Sequence, residues 1–377
     1  MRETMLTVAV IGAGPAGAAC AWTLAQAGVR TLLFERDPDR EKPCGGGLTD
    51  RAWQAFPELN SLELPFNEVV DFRLVGPSGR VADVPLAKPI RVISRRVLDS
   101  ALRHAAWSAG ASLVREPVRE LKKRPGGGWQ VNDHAAAIVV GAGGMNDPLA
   151  RLQGLRLPRT LRGLSVGKFI PGTFAPRIVC RFFPEAYGYA WFFPRADHAS
   201  LGVELHGTVF DTRRAWDLLH KFAAENLPDV DVDAGTTYGW SAPALDESAF
   251  ARHVFGGDDW LLAGDAAGLV DPTTGEGLSY ALASGRLAAR SILLGEAPAY
   301  GRRVRALLLP ELAKSSRLSP KFYRTWFLRL SLLALSRSRT CRLTAADMAS
   351  GAQSYLTLKK RVYREMPRIA GEIIVGG

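Results

Sequence analysis

Apolar and polar positions in the first 35 residues follow the order expected of a strand, a helix and a second strand. Apolar residues fill positions 8–11, and a second run, 31–34, is apolar after its opening threonine; an alanine-rich segment ending at Ala27 separates the two. The junction between the first strand and the helix is rich in glycine and reads Gly-Ala-Gly-Pro-Ala-Gly from Gly12 to Gly17. Short apolar runs bounded by glycine are typical of buried strands, so this stretch predicts a βαβ unit.

The glycine-rich junction also predicts a dinucleotide site. Gly12 permits a tight turn, Gly14 lets the backbone approach a pyrophosphate, and Gly17 lets helix and strand pack closely. The helix N-terminus, at Pro15 and Ala16, would face the phosphates with free N–H donors and the positive end of its dipole. Glu35 ends the second strand, where a carboxylate can accept ribose hydroxyls. An ordinary βαβ turn is the alternative, and these residues alone leave NAD and FAD open.

Alternating patterns later in the chain predict an inserted antiparallel sheet. Residues 67–93 read as a hairpin, 112–131 as another, and 136–140 as a buried strand leading into a turn at 141–144 that we interpret as structural. Strands at 177–183, 188–194 and 199–205 predict a meander. In its middle strand Tyr189, Trp191 and Phe193 share one face, an aromatic wall. A helix over Thr212–Asn226, capped by Asp211, is a plausible cover.

A second strand, loop and helix pattern lies at 260–294. The strand delivers Gly264 and Asp265, and a glycine-containing loop through Gly275 follows. Apolar residues then recur at helical spacing from Leu278 onward, which predicts a helix that begins near Glu276 and points back toward the aspartate.

The length and composition of the chain limit the class of protein to which it can belong. The chain has 377 residues, 47% of them hydrophobic, which favours two globular domains. Its four cysteines and six histidines form no metal-binding spacing, so we expect no metal site and no disulfide framework. The predicted fold starts too near the first residue for a targeting peptide, and no apolar run approaches the ~18 residues of a membrane span. We therefore expect a cytoplasmic protein.

Positive charge is concentrated at the C-terminal end. The net charge is +11, and residues 301–377 hold 16 Lys and Arg against 4 Asp and Glu. Residues 321–335 mix Trp, Phe and Leu with arginines, a composition that suits a helix in a membrane interface. Two alternatives remain: the segment caps the fold with Leu330, Leu333 and Leu335 buried, or it binds nucleic acid. We disfavour nucleic acid because no recognised binding motif accompanies the charge.

Four motifs in order resemble the geranylgeranyl reductase family. They are the glycine turn with Glu35, Pro43-Cys44-Gly45-Gly46-Gly47, Tyr189-x-Trp191-x-Phe193-Pro194, and Gly264-Asp265-Ala266-Ala267-Gly268 with Gly275-Glu276-Gly277. That family belongs to the FAD-dependent, glutathione-reductase-type flavoproteins, with aromatic hydroxylases and flavin halogenases. The predicted class is α/β: a Rossmann-like FAD-binding domain (1–64, 94–160, 255–300), an inserted antiparallel-sheet substrate domain (65–93, 161–254) and a basic, helical C-terminal segment (301–377).

The resemblance implies roles for particular residues. Asp265 would contact the ribityl and pyrophosphate region, and Arg95 would reach the pyrophosphate. The helix start at Gly275–Leu278 would sit at the flavin carbonyl, and Cys44 beside the flavin. Tyr189 and Trp191 would line the substrate cavity. The predicted cofactor-binding residues are Gly12, Gly14, Pro15, Ala16, Gly17, Glu35, Arg36, Gly46, Gly47, Arg95, Gly264, Asp265, Gly275, Gly277 and Leu278.

The resemblance also implies an activity. It predicts a noncovalent FAD enzyme, reduced by NADPH or another donor, that saturates C=C bonds in the prenyl chain of a lipid or quinone; Cys44 as proton donor is a hypothesis. A monooxygenase or halogenase, and a flavin-binding protein without turnover, are the alternatives. This chain departs from the family at Gly143, where relatives usually carry an aspartate that contacts the cofactor.

Overall fold

The computed structural model of the chain describes residues 6–184, 186–206 and 211–375. Its strands are β1 (Thr7–Ile11), β2 (Arg30–Phe34), β3 (Gly47–Leu48), β4 (Asn67–Val75), β5 (Val81–Val92), β6 (Ser112–Val114), β7 (Leu121–Lys123), β8 (Trp129–Val131), β9 (His134–Ala136), β10 (Ile138–Gly141), β11 (Arg162–Pro171), β12 (Arg177–Phe182), β13 (Gly188–Pro194), β14 (His198–His206), β15 (Thr236–Pro243) and β16 (Trp260–Leu262). Its helices are α1 (Pro15–Gln26), α2 (Asp50–Ala55), α3 (Arg95–Ser108), α4 (Pro148–Leu152), α5 (Thr212–Asn226), α6 (Glu247–Arg252), α7 (Leu278–Leu293), α8 (Tyr300–Leu307), α9 (Leu309–Phe322), α10 (Thr325–Arg337), α11 (Arg339–Ala349) and α12 (Tyr355–Val375).

A five-stranded parallel sheet in the order β16-β10-β1-β2-β6 confirms the predicted βαβ unit. Its central strand is fully buried at Val8, Ala9 and Val10, because helix α1 packs on β1 and β2 and strand β9 of the small sheet also contacts β1. An apolar run without alternation is what such a doubly covered strand requires.

Two predictions in this region are wrong in detail. The segment at 112–131 is not one hairpin, because β6 leaves it to pair in parallel with β2, while β7 and β8 pair with each other and β8 with β9. The buried strand predicted at 136–140 is divided between β9, in the small sheet, and β10, in the parallel sheet. Both errors arise because neighbouring apolar residues are shared by two sheets.

An eight-stranded sheet follows the order β15-β11-β14-β13-β12-β4-β5-β3. It contains the predicted β4–β5 hairpin and the β12–β13–β14 meander, and β12 joins β4 in parallel. The inserted antiparallel sheet is therefore confirmed.

Helix α5 covers the opposite face of this sheet from the aromatic wall, so its predicted role as a cover is wrong. Its bounds and its cap are as predicted, since the Asp211 carboxylate accepts from the backbone N–H groups of Arg213 and Arg214. However, α5 packs with Ala190 and Phe192, whose side chains alternate with those of the aromatic wall. Trp191 instead packs in a cluster with Ala346 of α11.

The C-terminal helices cap the structure and also leave an apolar surface. On α10, Leu328, Leu332 and Leu335 are buried, whereas Trp326 and Leu330 are each 57% exposed. Leu332 packs with Ala82 of β5 and would be 2.9 Å from a Cβ added at Gly76. In the part of the chain that the structure describes, no helix combines the length and apolar character needed to cross a bilayer.

Leu332 and Leu330 of α10 should contribute very different amounts to the free energy of unfolding. Leu332→Ala should lower the free energy of unfolding by about 2–5 kcal/mol because it leaves a cavity in a packed contact. Leu330→Ala should change that free energy by no more than about 0.5 kcal/mol, because the side chain is exposed. Urea unfolding of both variants measures this, and equal losses would contradict the placement of α10.

Candidate active site

The glycine turn after β1 allows neighbouring backbone to approach closely. Gly12 has φ +92°, and a Cβ there would lie 2.6 Å from Ala142 O, so the turn at 141–144 packs against it. A Cβ at Gly17 would overlap Gly12 O. Gly14 differs, since an added Cβ would meet nothing closer than Asp99 Oδ2 at 3.9 Å. Gly12 and Gly17 are thus needed by the fold, and Gly14 borders open space.

The N-terminus of α1 opens into that space without a side-chain cap. Uncapped N–H groups at a helix N-terminus favour an anion. Glu35 lies beside this turn, where its Oε2 accepts from Ala13 N at 3.0 Å and its Oε1 from Asp37 N at 3.0 Å.

A cavity of about 200 Å³ extends from this helix end. It brings together nine residues that the sequence singles out, and they are Gly12, Gly14, Pro15, Ala16, Glu35, Arg36, Arg95, Gly264 and Asp265. The two nucleotide motifs meet here, since a Cβ at Gly264 would lie 3.0 Å from Ala16 Cβ.

Asp265 in this cavity is paired with a residue that the sequence reasoning missed. Lys42 Nζ contacts Asp265 Oδ2 at 2.9 Å, and the two side chains are only 17% and 14% exposed. Burial opposes charge on the Asp265 carboxyl, but Lys42 and Arg95 together hold its pKa below the usual value. The position of Lys42 directly before Pro43-Cys44 was the available signal.

Arg95 is held at the start of α3, next to Gly14. Its guanidinium donates to both carboxylate oxygens of Asp99 at 2.9 Å and is 3% exposed. A buried bidentate pair of this kind fixes the arginine in one orientation. A Cβ at Gly14 would lie 4.0 Å from Arg95 Nη2, so this cation borders the same open space.

The turn at 141–144 is held by a buried carboxylate that follows it, that of Asp147. Gly143 N donates to Asp147 Oδ2 at 2.8 Å, and Asp147 Oδ1 accepts from Ala150 N at 2.9 Å. Burial raises the pKa of the Asp147 carboxyl to about 6. Asp147 therefore stabilises the backbone of the turn and of the start of α4.

The Cys44 loop forms a second region with the aromatic strand. Cβ atoms at Gly45 and Gly47 would each lie 3.1 Å from the Phe193 ring. These two glycines therefore leave room for the ring to pack against the loop. Gly46 N donates to Cys44 Sγ at 3.3 Å.

Arg195 fixes this loop and was not predicted. Its fully buried guanidinium donates to Cys44 O at 2.6 Å and to Glu41 Oε1 at 2.7 Å. It directly follows the aromatic motif in sequence, which was the only signal for it.

Three successive carbonyls of the loop before α7 accept hydrogen bonds from outside that loop. Ser319 Oγ donates to Pro272 O at 2.8 Å, Tyr323 Oη to Thr273 O at 2.7 Å, and Tyr189 Oη to Thr274 O at 2.7 Å. The C-terminal segment and the aromatic wall therefore hold the loop from two sides.

This loop links the predicted residues of the two regions. Gly275 has φ +72°, and a Cβ there would lie 3.0 Å from Tyr189 Oη. At the start of α7, Gly277 offers no side-chain cap, and its Cβ position is 3.7 Å from Asp265 Oδ1. Leu278, the next residue, is buried. The starts of α1 and α7 thus both lie near Asp265; that of α1 has no side-chain cap, whereas at that of α7 the Glu276 carboxylate accepts from Ser279 N at 2.8 Å.

Trp191 continues the wall from Tyr189, with ring centroids 5.8 Å apart. Its Nε1 donates to Ser200 Oγ at 3.2 Å, and a Cβ at Gly202 would overlap its ring. The indole therefore lies against the sheet, and 6% of the residue is exposed.

Comparison with known proteins gives matches in sequence. A family model described as an NAD(P)-binding Rossmann-like domain matches residues 10–54. Geranylgeranyl diphosphate reductase of Oryza sativa subsp. japonica is 32% identical over 328 residues, which cover 78% of this chain and 67% of the rice protein. Menaquinone reductase of Mycobacterium tuberculosis is 29% identical over 316 residues, 75% of each chain.

Solved structures share the fold. A geranylgeranyl bacteriochlorophyll reductase-like protein of Thermoplasma acidophilum superposes with a TM-score of 0.76 and 22% identity, covering 96% of this chain and 99% of that one. A flavin-dependent brominase has a TM-score of 0.68 and 17% identity, with coverage of 96% and 99%.

Proposed function

This chain belongs to the geranylgeranyl reductase family of oxidoreductases, and on that premise we propose that it is an FAD-dependent reductase of prenyl chains. The substrate is a prenylated lipid or quinone, in which one or more isolated C=C bonds become saturated. The observation that carries the proposal is the hydrogen bond from Tyr189 to Thr274 O, because it joins the aromatic wall to the loop that leads into α7 beside Asp265.

The residues around the cavity fit a noncovalent FAD. The start of α1 offers N–H groups beside Gly14, where Asp99 Oδ2 and Arg95 Nη2 are the nearest side-chain atoms to an added Cβ, at 3.9 and 4.0 Å. At the start of α7 the Cβ position of Gly277 is 3.7 Å from Asp265 Oδ1. Bound FAD, once reduced by NADPH or another donor, supplies hydride to an alkene carbon. The protein positions the chain and excludes water.

The aromatic wall suits an apolar substrate. Tyr189, Trp191 and Phe193 present ring surface on one side of the sheet. We propose Cys44, which directly precedes Gly45 beside the Phe193 ring, as a contact on the cofactor side. The names of the rice and mycobacterial relatives place a prenyl chain on a diphosphate in one case and on a quinone in the other. The shared chemistry is the chain, so we propose recognition of the chain by the wall.

The rival activity is that of a monooxygenase or halogenase. Its support is the fold shared with the brominase, at 17% identity. A flavin-binding protein without turnover is a third possibility, which would be favoured if no donor reduced the bound flavin.

We also propose that the protein attaches to membranes from the cytoplasm through a surface of α10, the α10 patch. It consists of Trp326, Phe327 and Leu330, flanked by Arg324 and Arg329. Exposed aromatic and leucine side chains beside arginines match an interface of acyl chains and anionic headgroups.

Gly14→Ala should abolish tight FAD binding without harming the fold. A methyl group fits the protein, since no atom lies within about 3.9 Å, but it occupies the space beside the α1 N-terminus. We expect FAD affinity to fall by roughly tenfold or more, which is about 1.4 kcal/mol, measured by flavin absorbance and titration. The matched control is Gly126→Ala, which also adds a methyl in open space. Wild-type FAD affinity in Gly14→Ala would contradict the cofactor site.

Anaerobic turnover separates the reductase from the monooxygenase. The yellow holoenzyme, supplied with a reductant and a cellular lipid extract without oxygen, should yield lipids that mass spectrometry finds heavier by two hydrogens per saturated bond. Product that forms only when oxygen is admitted would contradict the proposal.

Sedimentation with vesicles tests the α10 patch. The protein should sediment with anionic vesicles at low salt and be released at high salt. Near the surface each arginine contributes about 1 kcal/mol, so the double variant Arg324→Gln/Arg329→Gln should bind roughly 30-fold more weakly. Trp326→Ala should also weaken binding, whereas Trp107→Ala, on an equally exposed tryptophan of α3, should not. Recovery in the supernatant under every condition would leave α10 as a structural cap.

A further inference from the structure

Two titratable residues of β14 lie on the same face of the sheet as the aromatic wall. Glu204 is paired in register with Tyr189, so the two side chains project from the same side. His206 is two residues farther along, on the same face. Glu204 Oε1 and His206 Nε2 are 3.0 Å apart, and the side chains are 11% and 8% exposed. A buried acid and base therefore share a contact beside Tyr189.

The neighbouring strand leaves room for this pair. A Cβ at Gly163 of β11 would lie 2.6 Å from Glu204 Oε1 and 3.1 Å from His206 Cε1. Any side chain at position 163 would displace the contact. The contact between Glu204 and His206 therefore requires a glycine at position 163.

Aromatic hydroxyls surround the pair. The His206 ring lies 5.1 Å from the Tyr187 ring and 6.3 Å from the Tyr323 ring, and Glu204 adjoins Tyr189. The charged group that faces them from the loop before α7 is Asp271, while β11 contributes the uncharged Gly163 and Ser165.

These tyrosines are poor proton donors. Tyr189 and Tyr323 each donate to a loop carbonyl, and Tyr187 shares a hydrogen bond with Ser319 Oγ at 2.7 Å. Burial and the nearby Glu204 carboxylate raise the pKa of Tyr189 well above its usual value. These hydroxyls are therefore poor candidates for the source of the proton that the reaction needs.

Saturation of a C=C bond adds a hydride to one carbon and a proton to the other. Resting on the proposed function, we propose that the Glu204–His206 pair donates this proton, which lies between Glu204 Oε1 and His206 Nε2. Its transfer to the alkene carbon forms the new C–H bond and leaves a carboxylate beside a neutral imidazole. A proton from solvent then restores the pair.

The test compares pair variants in the holoenzyme. The wild type is first reduced anaerobically and mixed with geranylgeranyl diphosphate and, separately, with menaquinone, to find the compound that reoxidises the flavin with prenyl saturation. His206→Gln, which keeps an N–H near the position of Nε2 but cannot titrate, should then lower kcat about 10²-fold or more with KM and flavin content unchanged.

The pH profile distinguishes a proton donor from a structural pair. In the wild type kcat should fall at alkaline pH as the pair loses its proton, and in His206→Gln that limb should disappear. Glu204→Gln should also lower kcat, because it removes the carboxylate that contacts His206 Nε2. Glu204→Asp, which retains the charge, should keep the limb closer to that of the wild type.

Matched controls come from another part of the structure. Glu58 pairs with Arg286, and His253 packs on Phe255, in the core around the parallel sheet. Glu58→Gln and His253→Gln should leave kcat and the alkaline limb unchanged. Wild-type kcat and an unchanged limb in both pair variants would overturn the inference while the proposed function stands. Absence of prenyl saturation by the wild type would overturn both.

Discussion

The close packing of α1 on α7 is the constraint on which the rest of the structure depends. A Cβ at Gly285 would overlap Ala16 O, so the two helices approach to backbone contact. That contact places the start of each helix at one cavity although about 260 residues separate them in sequence. Because a helix start without a cap favours an anion, the start of α1 predicts a negatively charged ligand group at this cavity.

The C-terminal segment depends on the same arrangement. Ser319 and Tyr323 hold two carbonyls of the loop before α7, and α10 begins two residues after Tyr323. The α10 patch is therefore connected to the loop by a short, hydrogen-bonded stretch of chain. Burial of Leu328 and Leu332 stabilises that stretch, so the capping interpretation and the membrane interpretation describe two faces of one helix.

Local patterns were enough to predict much of the fold, and long-range partners were not. Asp211 identifies the start of α5, and alternation identifies Tyr189 and Trp191 as neighbours on one face, since both depend on residues a few positions apart. Helix α11, rather than α5, covers that face. This packing depends on contacts between residues about 150 positions apart, so no local sequence pattern predicts it. The same holds for the site. The glycines and Asp265 stand in recognisable motifs, whereas Lys42, Arg195 and Glu204 acquire their roles only through partners that folding brings to them.

Two buried ion pairs beside the cavity limit what Arg95 and Lys42 offer to a phosphate. Arg95 pairs with Asp99 and Lys42 pairs with Asp265, so each of these two cations is already neutralised by a carboxylate. Arg103, which is buried and lines the same cavity, instead donates to Pro38 O. A buried pair of this kind contributes little net field to a third group, because its two charges largely cancel. The N–H groups at the start of α1 have no side-chain cap, whereas at the start of α7 the Glu276 carboxylate accepts from Ser279 N at 2.8 Å. An incoming phosphate that draws Lys42 toward itself would leave Asp265 free to accept hydroxyl groups instead. Lys42 can in this way neutralise Asp265 before the cofactor binds and contact the phosphate afterwards.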